Sequence, residues 1–131
     1  MSGDTFTVLV AGSGVMGRGI AGSFARAGLK TAVLSRNPDA VSGIDPGVAI
    51  LGSLPSQAPE LIIETIPEVI ELKHTLNGQI EEAYQGAAII GSNTSSLPLQ
   101  KLADKLKFPE KFCGIHYFQP ADITPIVEVA R

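Results

Sequence analysis

Continuous apolar runs alternate along this chain with segments of helical period. The runs are short and rich in Val, Ile, Leu and Ala, which is typical of strands buried on both faces of a parallel sheet. We predict seven strands, at Thr5–Ala11, Thr31–Leu34, Val48–Leu51, Leu61–Glu64, Ala88–Ser92, Phe112–Tyr117 and Ile126–Val129. Their spacing leaves room for a helix in several of the connections.

Apolar positions three or four residues apart predict three helices. These lie at Val15–Ala27, Glu68–Tyr84 and Leu97–Lys105, with Pro67 at the start of the second helix, where a proline is tolerated. The predicted buried faces comprise Met16, Ile20, Phe24 and Ala27; Val69, Leu72, Leu76, Ile80 and Ala83; and Leu99, Leu102 and Leu106. One helical turn is expected at Leu54–Ala58, and Asn37–Gly47 is expected to be a loop with at most one short helix. Alternating strands and helices predict a doubly wound, mostly parallel α/β sheet.

A glycine-rich turn joins the first predicted strand to the first helix. Gly12, Gly14 and Gly17 have the spacing of a dinucleotide-binding loop. The first glycine allows a tight turn, the second leaves space for a pyrophosphate, and the third lets the helix approach the strand. The N–H groups of the helix N-terminus would then face the phosphates. We therefore predict a Rossmann-type domain over residues 1–131, with a cofactor loop of Gly12, Ser13, Gly14, Val15, Met16 and Gly17. A glycine-rich turn without a ligand is the alternative.

The end of the second strand indicates which dinucleotide is bound. An acidic residue at this position usually binds the adenosine ribose of NAD. This chain has Ser35, Arg36 and Asn37 instead. A hydroxyl and a guanidinium suit a 2′-phosphate better than a ribose diol. The expected cofactor is NAD(P), with NADP favoured over NAD. Alternatively, Arg36 stacks on the adenine or is a solvated loop residue.

Polar clusters follow three further strands, at the carboxyl edge where ligands bind in such sheets. They are Glu64–Glu68, Ser92–Ser96 and His116–Pro120, and Glu128 lies in the last strand. A hydroxyl from Ser95, an imidazole from His116 and a carboxylate from Glu128 could form a proton-transfer unit. In the alternative interpretation, Ser95 caps a helix, His116 is an interior histidine with satisfied hydrogen bonds, and Glu128 is an exposed strand residue.

Composition narrows the class of protein. The chain has 131 residues, of which 44% are hydrophobic and 18% charged, so it can form one domain with a substantial core. A net charge of −3 gives no reason to expect nucleic acid as a partner. No signal peptide or membrane-spanning run is recognised, and Cys113 is the single cysteine, which suits the cytoplasm. His74, expected on the surface, and His116 do not form a metal site with it.

Four motifs can be compared with known families: Gly12–Ala21, Ile62–Glu68 followed by Lys73, Ser92–Pro98, and Gly114–Pro120. Together they resemble the NAD-binding domain of the L-3-hydroxyacyl-CoA dehydrogenase family. The spacings from Ser95 to His116 and from His116 to Glu128 also fit the family. The similarity extends from Val8 to Val129. The resemblance implies hydride transfer between a nicotinamide cofactor and a 3-hydroxyacyl-CoA substrate, as in fatty acid metabolism.

The resemblance also implies roles for individual residues. His116 is the general base that takes the hydroxyl proton, Glu128 pairs with His116, and Ser95 binds the substrate oxygen. Glu68, Lys73 and Ser95 lie near the nicotinamide. Gln119 stands in place of an asparagine and keeps its amide.

Besides Gln119, three further departures from the family pattern modify these expectations. Ser35 replaces the family's ribose-binding aspartate, which favours NADP. The loop from Ser35 to Val48 is too short for the helical hairpin that contacts CoA in the family, so a free 3-hydroxy acid is an alternative substrate. The family's helical C-terminal domain, which completes the acyl pocket and forms a dimer, would begin near Arg131. We therefore expect this chain to bind cofactor but to turn over poorly alone. A non-catalytic dinucleotide-binding module is the further alternative.

Overall fold

The computed structural model describes residues 5–93, 98–117 and 127–130, with the backbone alone described for 116, 117 and 127–130. The strands are β1 (Val8–Ala11), β2 (Thr31–Leu34), β3 (Val48–Leu51), β4 (Leu61–Glu64), β5 (Ile89–Ser92), β6 (Phe112–Tyr117) and β7 (Val127–Ala130). The helices are α1 (Val15–Arg26), α2 (Ile70–Tyr84) and α3 (Leu99–Ala103), with 3₁₀ helices at Pro38–Ala40 and Pro109–Lys111. Strands and helices alternate as predicted.

All seven strands form one sheet in the order β3-β2-β1-β4-β5-β6-β7. The first six strands are parallel to one another, and β7 is antiparallel to β6. This is a Rossmann-like, single-domain fold, which confirms the predicted class. The chain extends the sheet from β1 to β3 in one direction and then crosses back to β4 on the other side of β1.

Two apolar layers cover the two faces of the sheet, since successive strand residues point to opposite faces. Ile20 and Ala21 of α1 pack with Val8, Val10 and Ile63 on one face. On the other face, the core is formed by strand residues together with side chains of α2 and α3; it includes Leu9, Ile62, Ile90, Ile80, Tyr84 and Leu102. The helices therefore flank the sheet on both sides.

The buried face of α2 agrees only in part with the predicted one: Ile80 is buried and Leu76 packs against the core, whereas Ala83 is exposed. The helix begins at Ile70 rather than Glu68, and both Val69 and Leu72 are 44% exposed. The buried side chains are Lys73, Asn77, Ile80, Glu81 and Tyr84. The apolar pattern was misleading because the first turn of this helix buries Lys73 against the Glu64 carboxylate at the end of β4.

Other differences are local. Leu54–Ala58 forms no helix; instead, the Pro55 carbonyl accepts a hydrogen bond from the Tyr84 hydroxyl at 2.6 Å. Ala27, which was expected on the buried face of α1, lies just beyond the end of the helix and is exposed. The buried residues of α1 include Gly17 and Ala21 instead. In α3, Leu102 is buried, and Leu99 and the following Leu106 pack against the same core, as predicted. None of the helices in the described ranges is both long and apolar enough to cross a membrane.

Candidate functional site

A crevice is expected where the winding direction of the sheet reverses. Here that point lies between the carboxyl ends of β1 and β4, because β2 and β3 extend the sheet on one side of β1 and β4 to β7 extend it on the other. Ligands of open α/β sheets bind at such a point. The segments that follow β1, β2 and β4 therefore form the walls of the candidate site.

The glycine loop is shaped by close backbone contacts. Gly12 has a φ of +120°, and a Cβ there would lie 2.4 Å from the Thr65 hydroxyl oxygen. A Cβ on Gly17 would lie 2.3 Å from the Gly12 carbonyl oxygen. Gly14 is different, because a Cβ there would have no atom within 4 Å. The first and third glycines are thus required by the protein itself, whereas the second borders open space.

The N-terminus of α1 opens toward this space. Gly14 is its N-cap, with no side-chain capping bond and no acidic residue in the first turn. The first helical hydrogen bond in the turn runs from the Arg18 N–H to the Gly14 carbonyl at 2.9 Å. The preceding N–H groups of a helix have no partner within it and, with the helix dipole, attract anions. Open space beside unpaired donors fits the diphosphate of a dinucleotide.

A hydroxyl cluster stands at the end of β2. The hydroxyl oxygens of Ser13 and Ser35 are 3.3 Å apart, and the Asn37 N–H donates to the Ser35 hydroxyl at 3.2 Å. Arg36 is exposed. The glycine loop and the end of β2 are thus in contact through Ser13 and Ser35, with the exposed Arg36 next in the chain and serine where a carboxylate would bind a ribose.

A buried ionic cluster lies at the end of β4, and its central residue is Glu64. Its carboxylate accepts hydrogen bonds from Lys73 Nζ, from the Ile66 N–H at 3.0 Å and from the Ser92 hydroxyl at 2.6 Å. The Lys73 ammonium also donates to the Ile66 carbonyl at 3.0 Å and is 3.1 Å from Glu68 Oε1. Glu64 and Lys73 are essentially inaccessible to solvent, whereas the Glu68 side chain is 37% exposed.

Sequence reasoning found Glu68 and Lys73 but missed the part that Glu64 and Ser92 play in this cluster. The sequence did offer a signal for this cluster: Glu64 is a carboxylate at the end of an apolar strand that was expected to be buried. A buried carboxylate needs a cationic or hydrogen-bonding partner, and Lys73 is the first lysine that follows it. The helical pattern placed that lysine on the wrong face of α2.

The third polar region involves β6 and β7. Backbone pairing puts His116 directly opposite Glu128 in the antiparallel register. Ser95 and Gln119 lie outside the described residues. His74 is half-buried rather than fully solvated, and its Nε2 is 3.1 Å from the Lys101 carbonyl oxygen. Within the described ranges, no three His, Cys, Asp or Glu residues are grouped as metal ligands would be.

Comparison with known proteins gives consistent matches. The family model for "3-hydroxyacyl-CoA dehydrogenase, NAD binding domain" matches residues 7–49 and 54–131. The fatty acid oxidation complex subunit alpha of Pseudomonas paraeruginosa is 40% identical over 72 residues, which are 55% of this chain and 10% of that protein. The corresponding subunit of Idiomarina loihiensis is 30% identical over an alignment of 151 positions, covering 95% of this chain and 21% of that protein.

Among solved structures, the dehydrogenase part of multifunctional enzyme 1 from C. elegans superposes with a TM-score of 0.87 at 27% identity. The match covers 96% of this chain and 35% of that chain. This chain therefore spans only a fraction of the length of each of these relatives. The alignment of 151 positions is also longer than this chain of 131 residues, so the Idiomarina protein has residues with no counterpart here.

Proposed function

Because this chain belongs to the NAD-binding domain family of 3-hydroxyacyl-CoA dehydrogenases, we propose that it is the dinucleotide-binding part of an NAD(P)-dependent dehydrogenase. The proposed reaction interconverts the 3-hydroxy and 3-keto forms of an acyl-CoA thioester. The diphosphate binds the N-terminus of α1 across Gly12, Ser13, Gly14, Val15, Met16 and Gly17. Ser35 and Arg36 bind the adenosine end, and Glu68, Lys73, Ser95 and Gln119 lie toward the nicotinamide end.

The proposed chemistry divides among the residues of the carboxyl edge. When bound, the nicotinamide supplies the hydride acceptor for the oxidation. The His116 imidazole takes the proton of the substrate hydroxyl, and the Glu128 carboxylate orients that ring and stabilises its cationic form. Ser95 donates a hydrogen bond to the substrate oxygen. A further helical domain, or a second copy of the chain, completes the pocket for the acyl group of the substrate.

The observation that carries the proposal is the combination of open space at Gly14 with the uncapped N-terminus of α1 at the reversal point of the sheet. This is where a diphosphate gains backbone hydrogen bonds without a steric conflict. The backbone pairing of His116 with Glu128 supports the catalytic part, since directly opposed residues of an antiparallel pair are close neighbours.

The test replaces His116 with alanine in the natural gene product that contains this chain. We expect the His116→Ala variant to bind NADH or NADPH as the wild type does, and to lose about 10²- to 10⁴-fold in the rate of acetoacetyl-CoA reduction. Unchanged turnover with intact binding would refute the role of His116, whereas a wild type that binds cofactor but does not reduce the thioester would favour the non-catalytic module. The isolated 131-residue chain should bind cofactor with little turnover, which steady-state assays on the same substrate would check.

We also propose that NADP is preferred over NAD. The support is the pair of serine hydroxyls at the end of β2, neither of which has a described hydrogen bond to a carboxylate, and the exposed residue Arg36 that follows Ser35. Fluorescence titration should show tighter binding of NADPH than of NADH. Arg36→Ala should weaken NADPH binding by roughly 10-fold and leave NADH binding unchanged, as expected for one charge-assisted contact to a phosphate. Equal affinities that do not respond to the substitution would refute this preference.

One structural feature favours a second substrate class. Between β2 and β3 the chain forms only the loop of residues 35–47 with a 3₁₀ helix at Pro38–Ala40, where the resemblance implied a hairpin that contacts CoA. A free 3-hydroxy acid is therefore the alternative substrate. Inhibition of the reaction by free CoA, competitive with the substrate, would support the thioester, and its absence would support the free acid.

A further inference from the structure

Glu64 has no assigned role, yet it is the central residue of the buried ionic cluster. Its carboxylate, with 0% relative exposure, links the ends of β4 and β5 to the first turn of α2 through Ser92, Ile66 and Lys73. We propose that Glu64 is a positioning residue for the nicotinamide half of the dinucleotide. The inference rests on the proposed function, because it concerns how the same crevice holds its ligand.

The cluster leaves Lys73 with its donors committed. The ammonium has three protons, and three protein oxygens surround it, from Glu64, Ile66 and Glu68. It is 1% exposed. The lysine therefore acts as a fixed cation that draws the half-exposed Glu68 carboxylate to one position. Glu64 holds that cation in turn, so the orientation of Glu68 depends on a residue that does not reach the surface.

The segment that Glu64 fixes is a wall of the crevice. Thr65 donates to the Ala11 carbonyl from both its N–H, at 2.8 Å, and its hydroxyl, at 3.0 Å. Thr65 also lies against the glycine loop, close enough to exclude a Cβ at Gly12. Residues 64–68 thus run from the glycine loop to the exposed Glu68, and displacement of Glu64 would move the wall at its nicotinamide end.

The adenosine and nicotinamide halves bind on opposite sides of the reversal point. The adenosine side is the end of β2, with Ser35, and the other side is the end of β4, with Glu68. The described side-chain contacts of Glu64 and Lys73 are with Ile66, Glu68 and Ser92, and none of them reaches Ser35 at the end of β2. Loss of this cluster should therefore weaken the whole dinucleotide while sparing a ligand that contains the adenosine half alone.

The test is the isosteric substitution Glu64→Gln, which removes the charge and adds an amide donor beside the Ile66 N–H and the Ser92 hydroxyl. NADPH and 2′,5′-ADP are titrated against the wild type and the variant below the unfolding temperature of both. We expect NADPH affinity to fall roughly 10-fold, as when an outer partner of a ligand-binding group is lost, and 2′,5′-ADP affinity to change less than about 2-fold. Ser92→Ala keeps the charge and removes one bond; it provides the same comparison with a smaller loss for NADPH if Glu64→Gln does not fold.

Glu82→Gln is the matched control, since it makes the same chemical change at an exposed position of α2, outside the buried ionic cluster. It should bind both ligands as the wild type does. Equal losses for both ligands, or no loss in folded Glu64→Gln, would overturn the positioning role while leaving the proposed function intact. Failure of the wild type to bind NADPH, NADH or 2′,5′-ADP would instead overturn the proposed function and this inference together.

Discussion

At the scale of single residues, two glycines of the loop are required by the fold, whereas the remaining one leaves space for a ligand. Gly12 and Gly17 lack room for a Cβ because Thr65 and the Gly12 carbonyl occupy that space. Gly14 has room for one and ordinary extended backbone angles. The different roles predicted for the three glycines from their spacing agree with the contacts around each of them.

The lack of space at Gly17 predicts that alanine there destabilises the protein, unlike alanine at a glycine with free space around it. Gly17→Ala should lower the free energy of unfolding by about 1–3 kcal/mol, because a methyl group is forced against a backbone oxygen 2.3 Å away. Thermal unfolding followed by circular dichroism would measure this as a clear drop in Tm. Gly78→Ala, at an exposed helical site with no atom within 4 Å, should instead be neutral or raise Tm. An unchanged Tm for Gly17→Ala would show that the loop is not packed as described.

Tyr84 gives a prediction for alkaline pH. Burial raises the pKa of its phenol above the ordinary 10.0, and its hydroxyl donates to the Pro55 carbonyl. A raised pKa in the folded state stabilises the protein below about pH 10, and this stabilisation is lost as the pH rises through the folded-state pKa. Tyr84→Phe should therefore cost about 1 kcal/mol at pH 8, and its deficit relative to the wild type should shrink toward pH 11. Urea unfolding at both pH values measures the difference; a deficit that stays constant would contradict the account.

At the scale of elements, the limits of sequence reasoning are clearest in α2. The bounds of β2, β3, β4 and β6 follow from their apolar runs, because a buried strand must be apolar on both faces. The inward face of α2 does not follow in the same way. The Lys73 side chain is buried because it pairs with the buried carboxylate of Glu64, nine positions earlier. This pairing depends on the end of a strand and a helix lying next to each other in the fold. Periodicity within one helix carries no information about such a partner.

Besides Glu64 on β4, a second buried carboxylate lies on α2 and fixes the connection between α3 and β6. The Glu81 side chain, 6% exposed, accepts hydrogen bonds from the N–H groups of Lys107 and Phe108 at 2.9 and 2.8 Å. Glu81→Ala should lower the free energy of unfolding by about 2–4 kcal/mol, because two part-buried donors lose a charged acceptor. Calorimetry would measure the change. Glu82 is exposed, so Glu82→Ala should have almost no effect; equal effects of the two substitutions would argue against the role of Glu81 in fixing this connection.

At the scale of the whole molecule, the alternation of strands and helices was enough to predict a doubly wound sheet. The sequence also placed the three polar segments on one edge, because the carboxyl ends of parallel strands coincide. The resemblance implied that Glu128 pairs with His116, but the antiparallel direction of β7 and the register that opposes the two residues were not predicted, because strand direction at a sheet edge depends on the intervening chain. The catalytic pair therefore stays a prediction based on the resemblance and on the register.

The central claim is that a dinucleotide diphosphate occupies the space beside Gly14, and titration of NADPH and NADH against Gly14→Val tests it most directly. Gly78→Val is the matched control, since neither glycine has an atom within 4 Å of an added Cβ. We predict that Gly14→Val folds with a Tm within a few degrees of the wild type but binds both dinucleotides at least about 30-fold more weakly, a loss of about 2 kcal/mol. The wild type and Gly78→Val should bind alike. A folded Gly14→Val variant that binds with wild-type affinity would contradict the account.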